Sequence, residues 1–344
     1  MQSLLKNSQQ VANLPGKPIS RPACQIHRRA CCTVSASGRG DAIPDTTDRR
    51  TLMATGLMAS FATGTFGLPR GAIAEESSPK ASSMAMASTS GQDWLAQDSR
   101  QNLHVVNLVG DLDATVKFYQ DKFGMQLLRS RDFGTSKNAF MGYGPEVEGG
   151  KVGHCVMELA ANEGVSSYRV GSGFQAFGIR AGGNTLSGGD MVKDPTGYPF
   201  RAVPAGSSRT AEPFALVSLQ VSNLDRSIQF YTNVLGMSLL RQEVEDRAVL
   251  GYGPELQTTA FELVASKNPR TPIDKGEGYV QMAVSTKDVY KTADQIKAAG
   301  GPIVREPGPV PGIGTKVTAT TDPDGWRFAF VDMSDFLKEF TNPL

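Results

Sequence analysis

One stretch of the chain occurs twice, and this repeat restricts the fold more than any other feature of the sequence. Residues 103–129 read LHVVNLVGDLDATVKFYQDKFGMQLLR, and residues 215–241 read ALVSLQVSNLDRSIQFYTNVLGMSLLR. The two copies align without a gap at an offset of 112 residues, and the motif GYGPE follows each copy, at 142–146 and 251–255. Self-similarity of this kind indicates a duplicated structural unit.

Each copy predicts the same order of elements. In the first copy, residues 103–109 alternate as a strand does, and a helix follows from Leu112, with Asp111 as its cap and Gly124 at its end. The second copy repeats this pattern with Leu224 and Gly236. Further strands are predicted around residues 138–142, 152–159, 248–251 and 258–264. Each copy is therefore expected to be a β-α-β-β-β module.

A second pair of related segments completes a set of four modules. Residues 278–284 resemble 173–179, and DPDGW at 322–326 resembles DPTGY at 194–198. The later segment holds a predicted helix over 289–299, whereas the earlier one has only the Gly-rich residues 180–189 and is expected to have lost its helix. We predict an α+β fold of four βαβββ-type modules, the second eroded, in domains over 101–206 and 213–340.

The first hundred residues are expected to be targeting and linking sequence. Residues 1–40 hold six Lys/Arg and no acid, which is typical of a transit peptide, here a chloroplast one. Within 41–74, Arg49 and Arg50 precede a weakly apolar run and a small-residue cleavage pattern, which resembles a twin-arginine signal for the thylakoid lumen. Residues 75–100 are predicted to be a flexible linker. The lumen is the favoured location, with the stroma or a mitochondrion as the alternative.

Charge and cysteine content exclude several classes of function. The chain of 344 residues has a net charge of +1, but residues 1–74 carry nine Lys/Arg against three acids, which leaves 26 basic and 31 acidic residues beyond them. An acidic mature chain does not suit a nucleic-acid partner. The apolar run is a poor membrane span, so no span is expected in the mature protein. Only Cys155 lies beyond the leader, so no disulfide within one chain is expected.

Several motifs match one known family. VGDLDATVKFYQDKFGMQLLR, GYGPE, DVYKTADQIKAAGGPIVREPGPVPGIGTK and DPDGW together resemble the two-domain glyoxalase I (lactoylglutathione lyase) of plants and algae, within the vicinal-oxygen-chelate superfamily. The resemblance implies a glyoxalase-like fold in which paired modules form a curved sheet around a cleft that can hold one divalent metal, nickel or zinc. It also implies a small-molecule substrate, the hemithioacetal of methylglyoxal and glutathione, which is isomerised to lactoylglutathione. A duplicated domain in one chain favours a monomer.

The family's ligand positions are only partly filled. In modules one and four, which share a cleft in the family, the resemblance assigns them to His104, Glu158, Gln281 and Ala329. Three of these side chains carry atoms that bind divalent metals, and the fourth does not. In modules two and three the positions fall on four residues that are expected to bind no metal: Ala176, Arg201, Leu216 and Glu262.

The resemblance also assigns substrate contacts. The family's arginine on the first strand, which binds a glutathione carboxylate, is replaced by Leu108. Asn162 matches a glutathione-contacting asparagine, and Arg305 and Lys316 flank a loop expected to close over the cleft. Because Ala329 stands where a carboxylate commonly acts as base, Glu158 is the remaining candidate for moving the proton.

Other interpretations of these residues stay open. His104 can be an ordinary half-buried histidine, and Gln281 a hydrogen-bonding core amide. Glu262 is expected to pair with Arg201 across the second cleft, and His154 to lie on the same strand as Glu158 but at the surface. For the whole chain, the alternative to an isomerase of reduced activity is an inactive glyoxalase-fold protein that binds or assembles with others in the lumen. An extradiol dioxygenase would need a second histidine ligand, and the sequence supplies none.

Overall fold

The structure is a computed structural model, and it describes residues 93–180, 186, 191–205 and 211–341. The predicted targeting segments 1–40 and 41–74 lie outside these residues, as does most of the stretch where the second module was expected to lack a helix. Among the described residues, no helix is both long and apolar enough to cross a membrane.

The described elements are strands with a few helices. In chain order the strands are β1 (Asn102–Leu108), β2 (Gln126–Asp132), β3 (Ser136–Gly142), β4 (Val147–Glu148), β5 (Lys151–Val152), β6 (Val156–Asn162), β7 (Phe174–Arg180), β8 (Met191–Lys193), β9 (Pro199–Val203), β10 (Phe214–Val221), β11 (Ser238–Val244), β12 (Arg247–Gly251), β13 (Ala260–Ala265), β14 (Tyr279–Thr286), β15 (Ile303–Pro309), β16 (Lys316–Thr321) and β17 (Arg327–Asp332). The helices are α1 (Leu112–Phe123), α2 (Leu224–Asn233), α3 (Val289–Ala298) and α4 (Met333–Thr341). A 3-10 turn covers Glu255–Gln257, and residues 93–98 form a short helix before β1. The predicted α+β class is confirmed.

Local capping explains where the predicted helices begin. The side chain of Asp111 accepts a hydrogen bond from the backbone N–H of Ala114 at the start of α1. Asp288 does the same for the first turn of α3. Gly124 ends α1 in the left-handed region, with φ of 67°, where a residue with a side chain would be strained.

The predicted strand over 152–159 is displaced in the structure. Strand β6 begins only at Val156, because the backbone N–H groups of Gly153 and His154 donate to the carbonyls of Glu146 and Pro145, at 2.8 and 2.9 Å, and close a hairpin. His154 is therefore not on the same strand as Glu158, and that part of the prediction is wrong. No sequence pattern predicted the small β4–β5 hairpin that causes the shift.

Each large sheet combines two modules that are distant in sequence. The first sheet has the order β15-β16-β17-β14-β1-β6-β3-β2 and joins modules one and four. The second has the order β11-β12-β13-β10-β7-β9-β8 and joins modules two and three. The predicted domains over 101–206 and 213–340 therefore contribute strands to both sheets, and their boundaries stay a prediction.

Aromatic side chains of two helices hold the sheets together. On α1, Tyr119 and Phe123 pack against Phe200 of the second sheet, with ring centroids 5.3 and 4.4 Å apart. On α2, Tyr231 packs against Phe328 of the first sheet at 5.3 Å. These buried residues belong to one continuous apolar core. Because the core occupies one face of each sheet, the other face of each is left to form a cleft.

The end of the predicted linker is structured. Residues 93–98 are helical, and Asp98 and Arg100 are buried and bonded to each other at 2.8 Å. The Arg100 guanidinium also donates to the carbonyl of Leu235 and to the side chain of Gln295, at 2.9 and 3.0 Å. Residues 93–100 therefore join α3 to the segment after α2, and the prediction of a flexible linker does not hold for them.

Candidate functional site

Three predicted ligand residues lie on one face of the first sheet. Val106 on β1 is paired with Gln281 of β14 on one side and with Glu158 of β6 on the other. Side chains of paired residues point to the same face of a sheet, and residues two apart on a strand do so as well. His104 therefore shares this face with Glu158 and Gln281. The exposed fractions of the three are 4%, 1% and 1%.

Several of their polar atoms are buried without a hydrogen-bond partner. His104 Nε2 lies 3.3 Å from Glu158 Oε2, but neither imidazole nitrogen makes a hydrogen bond. Glu158 Oε2 and Gln281 Nε2 also have no hydrogen-bond partner. Buried polar atoms in proteins are nearly always satisfied, and exceptions point to a function or to a bound group. His104 Nε2 and Glu158 Oε2 are adjacent and fit a divalent cation, to which the Gln281 amide would offer its oxygen.

The protonation states favour the same conclusion. Burial, followed by the positive charges of Arg129 and Arg131, lowers the pKa of His104 well below its usual value, so the imidazole is neutral at physiological pH. A neutral imidazole is the form that binds a metal. Burial raises the pKa of Glu158 despite the opposing effects of both arginines and of the hydrogen bond donated by Asn138. A carboxyl group with a raised pKa is suited to accept and return a proton.

The fourth ligand position holds no donor. Ala329 on β17 is 1% exposed and pairs with Ala283 and Ala319, so three methyl groups line this part of the face. In the described part of the chain no group of three His, Cys, Asp or Glu residues is placed to hold a metal. The predicted ligand set does not form such a group, because its third member is the amide of Gln281 and its fourth is Ala329.

Aromatic residues cover the site. Phe336 of α4 stacks on the His104 ring with centroids 6.2 Å apart, and Phe140 of β3 meets the same ring edge-on at 5.8 Å. The cavity beside His104 has a volume of ≈ 10 Å³, about the space of one water molecule. Its walls include Val310, Ile313 and Thr315, which belong to the loop between β15 and β16. The predicted covering by this loop is present, and α4 adds to it.

Two arginines and one glutamate, Glu339, border the same cavity. The Arg129 guanidinium donates to both carboxylate oxygens of Glu146, at 2.5 and 2.9 Å, and lies 3.5 Å over the Phe140 ring. Arg131 pairs with Glu339 of α4, whose other oxygen accepts from Thr315 at 2.5 Å. None of these residues was assigned from the sequence. The sequence does distinguish position 131, because the two repeats differ here: the corresponding residue of the second repeat, at position 243, is a glutamate.

The predicted substrate contacts are not gathered at one point. Asn162 lies at the end of β6, donates to the Tyr168 hydroxyl at 2.7 Å and leaves its Oδ1 without a partner. It borders an open cavity of ≈ 710 Å³. Lys316 pairs with Asp335 of α4 and lies 3.7 Å from Asp332. Arg305 donates to the carbonyl of Pro309 at 3.2 Å. The assignment of all three to glutathione stays a prediction.

The second sheet has a different set of charges on the corresponding face. Glu262 Oε2 accepts hydrogen bonds from Arg201 at 2.6 Å and from Ser218 at 2.5 Å, and its Oε1 accepts from Arg247 at 3.1 Å. Burial alone would raise the pKa of Glu262, but these donors and charges hold it below the usual value. The predicted salt bridge between Glu262 and Arg201 is thus confirmed. Ala176 and Leu216, the remaining positions of that set, are buried apolar residues.

His154 is bound elsewhere. Its Nδ1 lies 2.9 Å from Glu212 Oε2, and its side chain is 35% exposed. Glu212 belongs to the segment that leads into β10, so this pair links the first module to the start of the third. His154 takes no part in the cluster around His104.

Comparison with known proteins places these features in one family. A family model described as the glyoxalase/bleomycin resistance protein/dioxygenase superfamily matches residues 102–183 and 214–330. A probable chloroplastic lactoylglutathione lyase of Arabidopsis thaliana is 46% identical over 276 residues, which cover 72% of this chain and 77% of the relative. A lactoylglutathione lyase of Oryza sativa subsp. japonica is 41% identical, with coverage of 72% and 94%. The crystal structure of glyoxalase I from Zea mays is 40% identical, with a TM-score of 0.64 and coverage of 72% and 97%.

Proposed function

The chain belongs to the glyoxalase/bleomycin resistance protein/dioxygenase superfamily, and from this premise we propose that it is a lactoylglutathione lyase of the glyoxalase I type. The substrate is the hemithioacetal of methylglyoxal and glutathione, and the product is lactoylglutathione, so the reaction detoxifies methylglyoxal. The similarity to plant lyases over nearly the whole length of the rice enzyme supports this proposal. The observation that carries it is the pair of unpartnered, buried donors on His104 and Glu158.

His104, Glu158 and Gln281 would hold one divalent metal, nickel or zinc. A bound divalent metal would supply Lewis-acid polarisation of the two neighbouring oxygens of the substrate and would stabilise the negative charge that develops when the proton leaves. The donor set of an imidazole nitrogen, a carboxylate and an amide oxygen suits such an ion. Three protein ligands leave positions free for the substrate.

Glu158 moves the proton. It accepts a proton from the substrate carbon that bears sulfur and returns it to the adjacent carbon, which completes the isomerisation with no net gain or loss of atoms. The pKa of Glu158 is raised mainly by burial, so this pKa lies closer to physiological pH than the pKa of a solvated glutamate. Asn138 donates to its Oε1 and fixes its orientation.

Burial shields the candidate ligand residues from water before the substrate binds. Phe140 and Phe336 cover the imidazole of His104, and Val310 and Ile313 close the side of the cavity. Exclusion of water strengthens the electrostatic attraction of Glu158 for a cation at this site. Because Ala329 supplies no carboxylate, Glu158 serves both as ligand and as proton carrier, and we expect a lower kcat than in an enzyme that divides these tasks between two groups.

The test is direct measurement of turnover. Purified residues 75–344, loaded with nickel or with zinc, are mixed with methylglyoxal and glutathione, and the thioester product is followed by its ultraviolet absorbance. We expect product from the loaded protein and none after chelation. Glu158→Gln should abolish turnover, whereas Asp121→Asn, which removes an exposed carboxylate on α1, should not change it. No product with either metal would show that the proposal is wrong.

The proposal extends to location and assembly. The name of the Arabidopsis relative supports the chloroplast, and the twin-arginine-like sequence in 41–74 favours the thylakoid lumen within it. Because both sheets are built from one chain, we propose a monomer. Protection of the protein from protease in intact thylakoids and sedimentation at equilibrium test these two points; a stromal fraction or a dimer would contradict them.

A further inference from the structure

Helix α4 crosses the first cleft and offers a carboxylate to each side of it. Asp335 pairs with Lys316 on β16, and Glu339 pairs with Arg131 on β2 and accepts from Thr315. These strands lie near opposite edges of the eight-stranded sheet. Residues four apart on a helix share one face, so α4 presents two acids one turn apart toward the cleft. Phe336, between them in sequence, covers His104.

The two arginines of the cleft differ in role. Arg129 is bonded to both oxygens of Glu146 and lies 3.7 Å from Glu339, and the second repeat has the same Arg–Glu pair, Arg241 with Glu255 at 2.9 Å. Because that second pair lies in the other sheet, away from His104 and Glu158, the pairing belongs to the architecture of the module. Arg131 has no counterpart of this kind, since position 243 is a glutamate. Its presence is therefore specific to the first cleft.

The cleft is too small for substrate while α4 lies on it. A cavity of ≈ 10 Å³ holds one water or one ion, whereas the hemithioacetal carries a tripeptide. Phe336 and Glu339 of α4 form one wall of this cavity, so a movement of α4 away from it would admit the substrate. Glu339 then leaves Arg131, which loses its ion pair with this carboxylate. Because a guanidinium forms charge-assisted hydrogen bonds with carboxylates, an incoming carboxylate is the natural replacement.

We propose that Arg131 binds a carboxylate of the thiol substrate and that α4, through Glu339, occupies this site until the substrate displaces it. The identity of the ligand rests on the proposed function, since glutathione is the thiol and bears two carboxylates. Lys316, released from Asp335, is the second cation available, although Asp332 remains 3.7 Å from it. Arg131 therefore gives the sharper test. The site takes over the task of the arginine that Leu108 replaces.

The experiment measures binding and helix opening in the metal-loaded protein. The variants are Arg131→Gln, Glu339→Gln and the double variant, with Arg270→Gln and Asp121→Asn as exposed controls. S-methylglutathione, which does not react, is titrated by calorimetry. We expect Glu339→Gln to tighten its binding about threefold or more because a competitor is removed. We expect Arg131→Gln to weaken it about tenfold, with KM raised and kcat within about twofold.

Hydrogen exchange gives a second readout. Saturating S-methylglutathione should speed exchange of the amides in α4, and the controls should behave like the unaltered protein. In the double variant, the change at Glu339 should no longer affect affinity, because the two residues act on one site. A merely structural ion pair would give the opposite result: both single variants would lower the melting temperature, and neither would change affinity, KM or ligand-induced exchange.

Failure of this inference can be told apart from failure of the proposed function. If the unaltered protein turns over substrate but Arg131→Gln binds S-methylglutathione normally, the inference is wrong and the function stands. If the protein neither turns over substrate nor binds S-methylglutathione, glutarate is titrated instead. If Glu339→Gln tightens glutarate binding and Arg131→Gln removes it, the carboxylate site stands, but its ligand is not glutathione. No glutarate binding would overturn the site as well.

Discussion

Phe336 lies almost parallel to the imidazole of His104, with ring centroids 6.2 Å apart and an angle of 30° between the rings. Phe140 completes the enclosure from the edge. Helix α4 thus protects the candidate ligand from solvent. The site is closed by a helix that follows directly on β17, the strand that carries Ala329.

Replacing this phenylalanine tests the closure. Phe336 is 2% exposed, so Phe336→Ala should lower the free energy of unfolding by about 3 kcal/mol. It should also open His104 to diethylpyrocarbonate. Carbethoxylation is followed at 240 nm, and the modified residue is identified by peptide mass, with the half-exposed His154 as the internal standard. Unchanged reactivity of His104 would show that another element shields it.

Removing the imidazole tests metal binding. Purified residues 75–344 should bind about one divalent ion per chain, and His104→Ala should lose it because the neighbouring Glu158 and Gln281 cannot hold an ion alone. His154→Ala, which alters the other described histidine, is the matched control. Metal is measured by mass spectrometry after loading and gel filtration. Equal metal content in the His104 variant and the control would contradict the assignment.

The pair between His154 and Glu212 predicts a pH effect on stability. The hydrogen bond to Glu212 raises the pKa of His154 above its usual value, although burial opposes the shift. A raised pKa means that the folded state favours the proton, so the stabilisation is complete below pH ~6.5 and is lost as the pH rises through the folded pKa. The half-exposed side chain limits the effect to less than ~1 kcal/mol.

Urea unfolding at several pH values checks this effect. The difference in stability between the unaltered protein and His154→Gln should be largest near pH 5.5 and should shrink by pH 9. His154→Gln combined with Glu212→Gln serves as the control, because the charged pair is absent from it. A difference that stays constant with pH would mean that the two residues interact without a titrating charge.

The repeat made much of the fold predictable. A strand, a capped helix and a glycine stop recur in one register, and local interactions determine all three: Asp111 caps α1, and Gly124 ends it. The pairing of modules one and four came from the family resemblance, because no local pattern states which strand lies beside β1. The N-terminal residues Asp98 and Arg100 were missed for a related reason: the partners of Arg100, Leu235 and Gln295, and the partner of Asp98, Thr286, are more than a hundred residues away.

The candidate site was predictable only where the family pattern reached. His104, Glu158 and Gln281 were found because each occupies a strand position with known register. Phe336 and Glu339 were not, because nothing in a short amphipathic helix states which cleft it will cover. The predicted position of His154 was wrong. It does not lie on β6, because two backbone hydrogen bonds of a hairpin delay the start of this strand. Such tertiary effects override a residue-by-residue pattern.

Restoring the missing carboxylate tests whether Ala329 limits the activity. Ala329→Glu places an acid beside His104 and Gln281, on a face otherwise lined by Ala283 and Ala319. Without metal, a buried and unpaired carboxylate destabilises the fold, so the melting temperature should fall. With nickel or zinc, the added ligand should recover it and tighten metal binding about tenfold or more. Because Glu158 would then share its two tasks, kcat should rise.

The amide variant separates these effects. Ala329→Gln has nearly the same size as Ala329→Glu but carries no charge and accepts no proton, so it should crowd the site equally without raising kcat. Melting curves with and without metal, together with turnover of the hemithioacetal, compare the two variants with the unaltered protein. If both variants are equally slow, the face around Ala329 is too tightly packed for a fourth ligand. In that case the packing of α4 explains why position 329 holds alanine, and the absence of a carboxylate there is not the cause of a slower reaction.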